Sequence, residues 1–108
     1  MTTLTVDLSR LAGPVLSGRN RGAAARAEYD LDNAEDRADI VQIVIPDNTY
    51  TVTSSFFLGL FGDSVRKCGS IGNFESKFRY LAPPFLIPVL RGHAGLALKS
   101  KKLFAKHG

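Results

Sequence analysis

Hydrophobic positions along this chain switch between a period of two and a period near 3.6, and the switches mark its elements. Leu4, Val6 and Leu8 alternate with Thr5, Asp7 and Ser9, which predicts a half-buried strand. Gly13 and Pro14 interrupt it. Residues 18–29, GRNRGAAARAEY, are dominated by alanine and arginine and predict a helix despite Gly22, its alanines lying against something flat. Residues 30–39, DLDNAEDRAD, carry six charges and Asp-Asn turn chemistry, so an exposed acidic connection is expected there. Ile40 to Ile45, IVQIVI, is a nearly continuous β-branched run between Asp39 and Pro46, the pattern of a central strand buried on both faces between helices.

Pro46, Asp47 and Asn48 form a turn, and Tyr50 to Thr53 a short β extension. Phe57, Leu60, Phe61, Ser64, Val65 and Cys68 then fall on one face of a 3.6-residue period, the clearest helix of the chain. Ser54 or Ser55 can cap its start and Gly69 its end. Ser70 to Glu75 is expected as a loop. Phe78, Tyr80 and Ala82 alternate with Lys77 and Arg79 in a further strand that ends at Pro83. After Pro84 the spacing is mixed; a turn of helix or irregular chain precedes a helix near Gly92 to Leu103. Strands alternating with helices predict an α/β fold with a small mixed sheet of about four strands and helices packed on it.

The 108 residues make one domain, with a body at 1–98 and a basic tail at 99–108. At this length the chain buries about two-thirds of its unfolded surface, so no disulfide or metal is needed for stability. One cysteine cannot form an internal disulfide, the N-terminus lacks the pattern of a signal peptide, and no apolar run is long enough to span a bilayer. A cytoplasmic protein with no membrane contact is the expectation. The net charge of +4 is unevenly spread: Met1 to Ser76 hold seven Lys/Arg and ten Asp/Glu, whereas Lys77 to Gly108 hold seven Lys/Arg and no acid.

Few residues carry catalytic chemistry. His93 and His107 are isolated from cysteines and from each other, which excludes the paired spacing of a zinc site. Neither a P-loop nor a nucleophile elbow is present, and Cys68 on the apolar stripe reads as a small buried hydrophobe. The chain is therefore expected not to be an enzyme and to hold no cofactor. Thr53-Ser54-Ser55-Phe56 stands apart, because these hydroxyls lie where a helix presents unsatisfied N–H groups and the positive end of its dipole. Phosphorylation there adds nearly two negative charges to any interface the helix start forms. Arg19, Arg21 and Arg26 lie along the first helix; Arg19 and Arg26 share a face that could meet an acidic partner or a phosphate, the alternative being a solvated face paired with Glu28 and Asp30. Arg91, Lys99, Lys101, Lys102 and Lys106 form a basic patch that could touch nucleic acid, although Phe104 alone interleaves with them.

The run IVQIVIPDNTYTVTSSFFLGLFG resembles the central strand, turn and hydroxyl-started helix of STAS domains, best known from bacterial anti-sigma-factor antagonists. It is more closely similar to the STAS-like group of uncharacterised bacterial proteins, with Thr53-Ser54-Ser55-Phe56 and Phe61-Gly62 as the matching motifs and SGRNRGAAARAEY as a counterpart of that group's first helix. The resemblance spans roughly residues 16–98 and implies a non-enzymatic regulatory module. Its partner would be an ATP-binding kinase-like or other signalling protein, bound through Ser54, Ser55 and a flank of Asp47, Asn48 and Arg66. Ser54 matches the phosphorylated serine of the antagonists and Ser55 that of the STAS-like group; Thr53 stands where the antagonists have Asp and Phe56 where they have Gly. The alternative is a small nucleic-acid-associated protein using its basic C-terminal third. The Phe-rich helix and Phe85 to Leu90 complete either the core or a homodimer interface.

Overall fold

The computed structural model describes residues 2–11 and 15–107, with side chains as far as residue 99. Its α/β order is β1 (Thr3–Asp7), a 3-10 turn (Leu8–Arg10), β2 (Val15–Leu16), α1 (Arg19–Glu28), α2 (Leu31–Arg37), β3 (Ile40–Val44), β4 (Thr51–Val52), α3 (Ser54–Cys68), α4 (Ile71–Lys77), β5 (Phe78–Leu81) and α5 (Leu86–His107). The strands form two sheets, β1-β3-β5 and β2-β4, and every pairing is parallel.

Because β1, β3 and β5 follow one another across the sheet in chain order, crossovers of one hand put both helical layers on the same face. The register shows the result. Leu4, Val41 and Phe78 form one inward row and Val6, Ile43 and Tyr80 the next. Thr5, Gln42 and Arg79 form an outward row, and Leu81 beside Val44 is 50% exposed. The expectation that Ile40 to Ile45 is buried on both faces is corrected: Val41 and Ile43 are fully buried, while Ile40, Gln42 and Val44 are half-buried.

On the covered face, α3 is the central element. Phe56, Phe57, Leu60, Phe61, Ser64 and Val65 are all buried on one broad face packed against α1, α4 and α5, wider than the expected stripe by Phe56, while Ser55, Asp63 and Lys67 stay exposed. Phe57, Phe61, Phe74 and Phe78 make tilted or edge contacts at 5.5–6.4 Å, and Phe74 stacks on Phe78 at 4.6 Å. The Phe-rich helix therefore belongs to the core. Of the segment from Phe85 to Leu90, Leu86 and Leu90 join that core, and Phe85 and Val89 face outward.

Three local readings change. Residues 30–39 are not an exposed connection: α2 occupies most of them, with Leu31, Ala34, Glu35 and Ala38 buried. Residues 70–75 are mostly α4, started by the Ser70 hydroxyl accepting from Asn73 N at 3.1 Å. The last helix begins at Leu86, runs through Pro88 and continues without interruption over the segment expected as a tail. Pro88 is its third residue, where the missing N–H would have had no helical partner.

Candidate functional site

Two strand-to-helix junctions lie side by side. β2 pairs with β4 in the register Val15↔Thr51 and Leu16↔Val52, and Thr53 N donates to Leu16 O at 2.9 Å. Each strand feeds a helix directly, β2 into α1 through Ser17 and Gly18, β4 into α3 through Thr53. The helices then pack so closely that a Cβ on Gly22 would lie 2.2 Å from Phe56 O, and one on Gly59 would lie 2.3 Å from Arg19 O. Glycine is required at both crossings because no side chain fits between the backbones. Gly22, read from sequence as a weakness in α1, is what sets its position, and Ala23, Ala24 and Ala27 face solvent instead of a flat surface.

This packing brings two helix starts together at the carboxyl ends of parallel strands, the region where α/β proteins commonly bind ligands. Neither helix has an acidic residue in its first turn, so both positive dipole ends are unneutralised. α1 adds Arg19, which is exposed, and Arg21, which donates to Val15 O at 3.3 Å. The cap of α3 is Thr53 and not Ser54 or Ser55: its hydroxyl accepts from Phe56 N at 3.3 Å. Ser54 and Ser55 are consequently the first two helical residues, half-buried and exposed respectively. Phe56 is fully buried, so it anchors the helix start in the core and offers nothing to a partner.

Asp47 and Asn48 are exposed in the turn closed by Thr49 N donating to Pro46 O at 3.0 Å, on the chain leading into β4. Arg66 does not join the hydroxyls. At 1.5 Å per residue it sits about 18 Å along α3 from Ser54, where it pairs with Asp63.

Arg26 is likewise removed from the contact surface. It is 9% exposed, and its guanidinium donates to Leu60 O at 2.9 Å, Ser64 Oγ at 2.8 Å, and Asp32 Oδ1 and Glu35 Oε1 at 2.6 Å each. Burial opposes its charge, yet the hydrogen bonds it donates to Asp32 and Glu35 outweigh that and raise its pKa further. Ser64 donates to Glu35 Oε1 at 2.9 Å, and Lys77 Nζ donates to the carbonyls of Glu35 and Ala38, so the cluster ties α1, α2 and α3 to the end of α4. The spacing of Arg19 and Arg26 implied a common exposed face, but α2 and α3 cover its far end. The sequence signal for α2 was Leu31, Ala34 and Ala38 at i, i+3 and i+7, masked by the charges between them.

The expected nucleic-acid patch is only partly in view. Arg91 Nε donates to both carboxylate oxygens of Glu75, at 2.9 and 3.2 Å, while Lys99 is exposed; the side chains of Lys101, Lys102 and Lys106 lie outside the described residues. Cys68 is half-buried and burial pushes its thiol pKa up, the reverse of what a nucleophile needs. His93 bonds Val52 O at 2.8 Å, which ties α5 to β4, and its ring lies tilted against Phe57 at 5.7 Å. Among the described residues no group of acidic, histidine or cysteine side chains could hold a metal, and no helix is long and apolar enough to cross a membrane. No family model, no curated protein and no solved structure matches the chain.

Proposed function

We propose that this protein is a non-catalytic regulatory binding module of the STAS-like kind, acting in the bacterial cytoplasm, whose contact surface is the pair of helix starts around Ser55. The observation that carries the reading is the alignment of α1 and α3 with no acid in either first turn and with Ser55 exposed between strand end and core. Two positive dipole ends with Arg19 and Arg21 favour an acidic loop or helix of a partner protein. Phosphate on Ser55 would be held well by the same N–H groups while bringing nearly two negative charges to a surface selected for a negative partner. One modification would thus release the partner without unfolding the module. An ATP-binding kinase-like signalling protein fits as both partner and modifier by resemblance to antagonist domains, and Ser55 is favoured over Ser54 by its exposure.

The test is quantitative capture from extracts of the source cell with wild type, Ser55→Ala, Ser55→Asp and Arg19→Glu as baits. A common partner is expected on wild type and Ser55→Ala, reduced at least about tenfold on Ser55→Asp and Arg19→Glu, since one lost charge-assisted contact is worth 1.5–3 kcal/mol. Identical capture by all four baits would refute both the switch and the surface.

A further inference from the structure

α5 has two apolar faces, and the fold uses one of them. Leu86, Leu90, Ala94 and Ala97, at i, i+4, i+8 and i+11, are buried in the core. Six large apolar side chains stay exposed among the described residues, and three of them, Phe85, Val89 and Leu96, lie on α5 or on the residue that leads into it. Val89, Gly92 and Leu96 follow one another at intervals of three and four residues, and Phe85 stands four residues ahead of Val89, so they line a second seam on the side away from the core. Exposed apolar residues scattered singly need no explanation, whereas a row of them in helical register is a contact surface.

Charge decides what covers the seam. α5 carries Arg91, Lys99, Lys101, Lys102 and Lys106 and no acid, and the exposed Lys99 prolongs the seam three residues beyond Leu96. A second copy of α5 laid along it in either direction would set positive against positive, which disfavours self-pairing. Nucleic acid would match the charge but leave Val89 and Leu96 in water. The backbone at the centre of the seam narrows the choice further. A Cβ on Gly92 or Gly95 would meet nothing within 4 Å, so no neighbour within this chain accounts for either glycine, although both are poorer helix formers than alanine. Bare backbone between two apolar side chains admits the side chains of a second helix at close range. A bilayer surface rewards broad apolar area and gains nothing from that opening. An acidic helix with an apolar stripe of its own satisfies both the charge and the shape.

We propose that the outer face of α5 docks an acidic amphipathic helix of a partner protein. The partner's apolar side chains pack over Gly92 between Val89 and Leu96, and its carboxylates meet Lys99 and the basic end of α5. This surface shares no residue with the helix starts around Ser55, so its occupancy is a separate event from theirs.

The experiment is an amide-resolved NMR titration of the full chain with a synthetic three-heptad peptide that has Leu at every a and d position and Glu at every e and g. Saturable shifts are expected in residues 85–99, with a Kd below about 1 mM. The same peptide with Lys in place of Glu, and one with Gln in place of Leu, should each bind about tenfold or more weakly. Val89→Glu and Leu96→Glu alter exposed positions, so both variants should melt close to wild type and bind the acidic peptide about tenfold or more weakly. No saturation at about 1 mM, equal binding of either control peptide, or undiminished affinity of both variants would each overturn the proposal. Shifts centred on residues 17–21 and 53–56 would overturn it as well, because they would place the peptide on the helix starts. A dimer in sedimentation that Leu96→Glu dissolves, or retention on phosphatidylglycerol vesicles without peptide binding, would give the seam to a second copy or to a membrane and overturn it too.

Discussion

Replacing Gly22 by alanine isolates the contact that positions the helix starts. Judged by helix propensity alone the change adds up to about 1 kcal/mol of stability, since glycine is the poorer helix former by that amount. Packing dictates the opposite sign. The new Cβ would stand 2.2 Å from Phe56 O and 3.0 Å from Leu60 N, both backbone atoms that cannot rotate away. Ordinary van der Waals contact requires roughly 1 Å more, so α1 must retreat from α3. Retreat lengthens the 2.9 Å and 2.8 Å bonds from Arg26 to Leu60 O and Ser64 Oγ, which couple the same two helices. Overpacking costs about 1–3 kcal/mol and each weakened buried bond adds to it, so a net loss of about 2–4 kcal/mol is expected after the propensity gain. That corresponds to a fall in melting temperature on the order of 10 °C or more for a domain of this size. Gly59→Ala meets Arg19 O at 2.3 Å and should behave alike, and the double variant should lose less than the sum because one displacement relieves both clashes. Gly92→Ala in α5, with no atom within 4 Å of its added Cβ, is the control and should gain about 0.5–1 kcal/mol. Urea unfolding followed by circular dichroism reads all four. Gly22→Ala matching or exceeding wild type would refute the close-approach argument.

Other outcomes follow from the buried groups. Arg26→Met should cost about 3 kcal/mol in urea unfolding, because Glu35 at 5% exposure loses its 2.6 Å ion pair and keeps only the Ser64 hydroxyl and Lys67 at 3.9 Å; a loss under about 1 kcal/mol would show the cluster to be incidental. Asp32, hydrogen-bonded to Arg26, and Asp7, bonded by Ser9, both titrate below the usual carboxylate range. Their stabilisation is complete above about pH 4 and is lost as pH falls through their lowered values; melting curves from pH 6 to 2 should show this, less steeply in Arg26→Met. Tyr80 has the reverse sign. Burial raises its pKa, so stability is complete below about pH 10 and declines as pH rises beyond it, where the unfolded phenol ionises first. Phenolate absorbance should report Tyr80 ionising together with unfolding, and the alkaline decline should shrink in Tyr80→Phe.

Much of the architecture is local and therefore legible along the chain. The alternation of Leu4, Val6 and Leu8, the run from Ile40 to Ile45, and the 3.6-residue spacing from Phe57 to Cys68 each name an element of the observed α/β fold, because a strand or a long helix needs its own apolar face. The hydroxyl-rich start of α3 is equally visible, since capping depends on a few consecutive residues. Short elements are not: β2 is two residues long and exists by pairing with β4, and α2 hides Leu31 and Ala34, with Ala38 just past its end, among charges.

Only the tertiary structure decided how those pieces divide their work. Arg19 and Arg26 look equivalent in sequence, yet one is exposed beside the paired helix starts and the other is enclosed by Asp32, Glu35, Ser64 and Leu60 O. Gly22 and Gly92 both look like helix defects, yet one is a backbone contact with α3 and the other faces open space. Sequence spacing determines which residues share a face of their own element, because that geometry is set by the backbone. What lies against the face depends on chain segments tens of residues away, and that distant packing made one arginine part of a surface and the other part of the core.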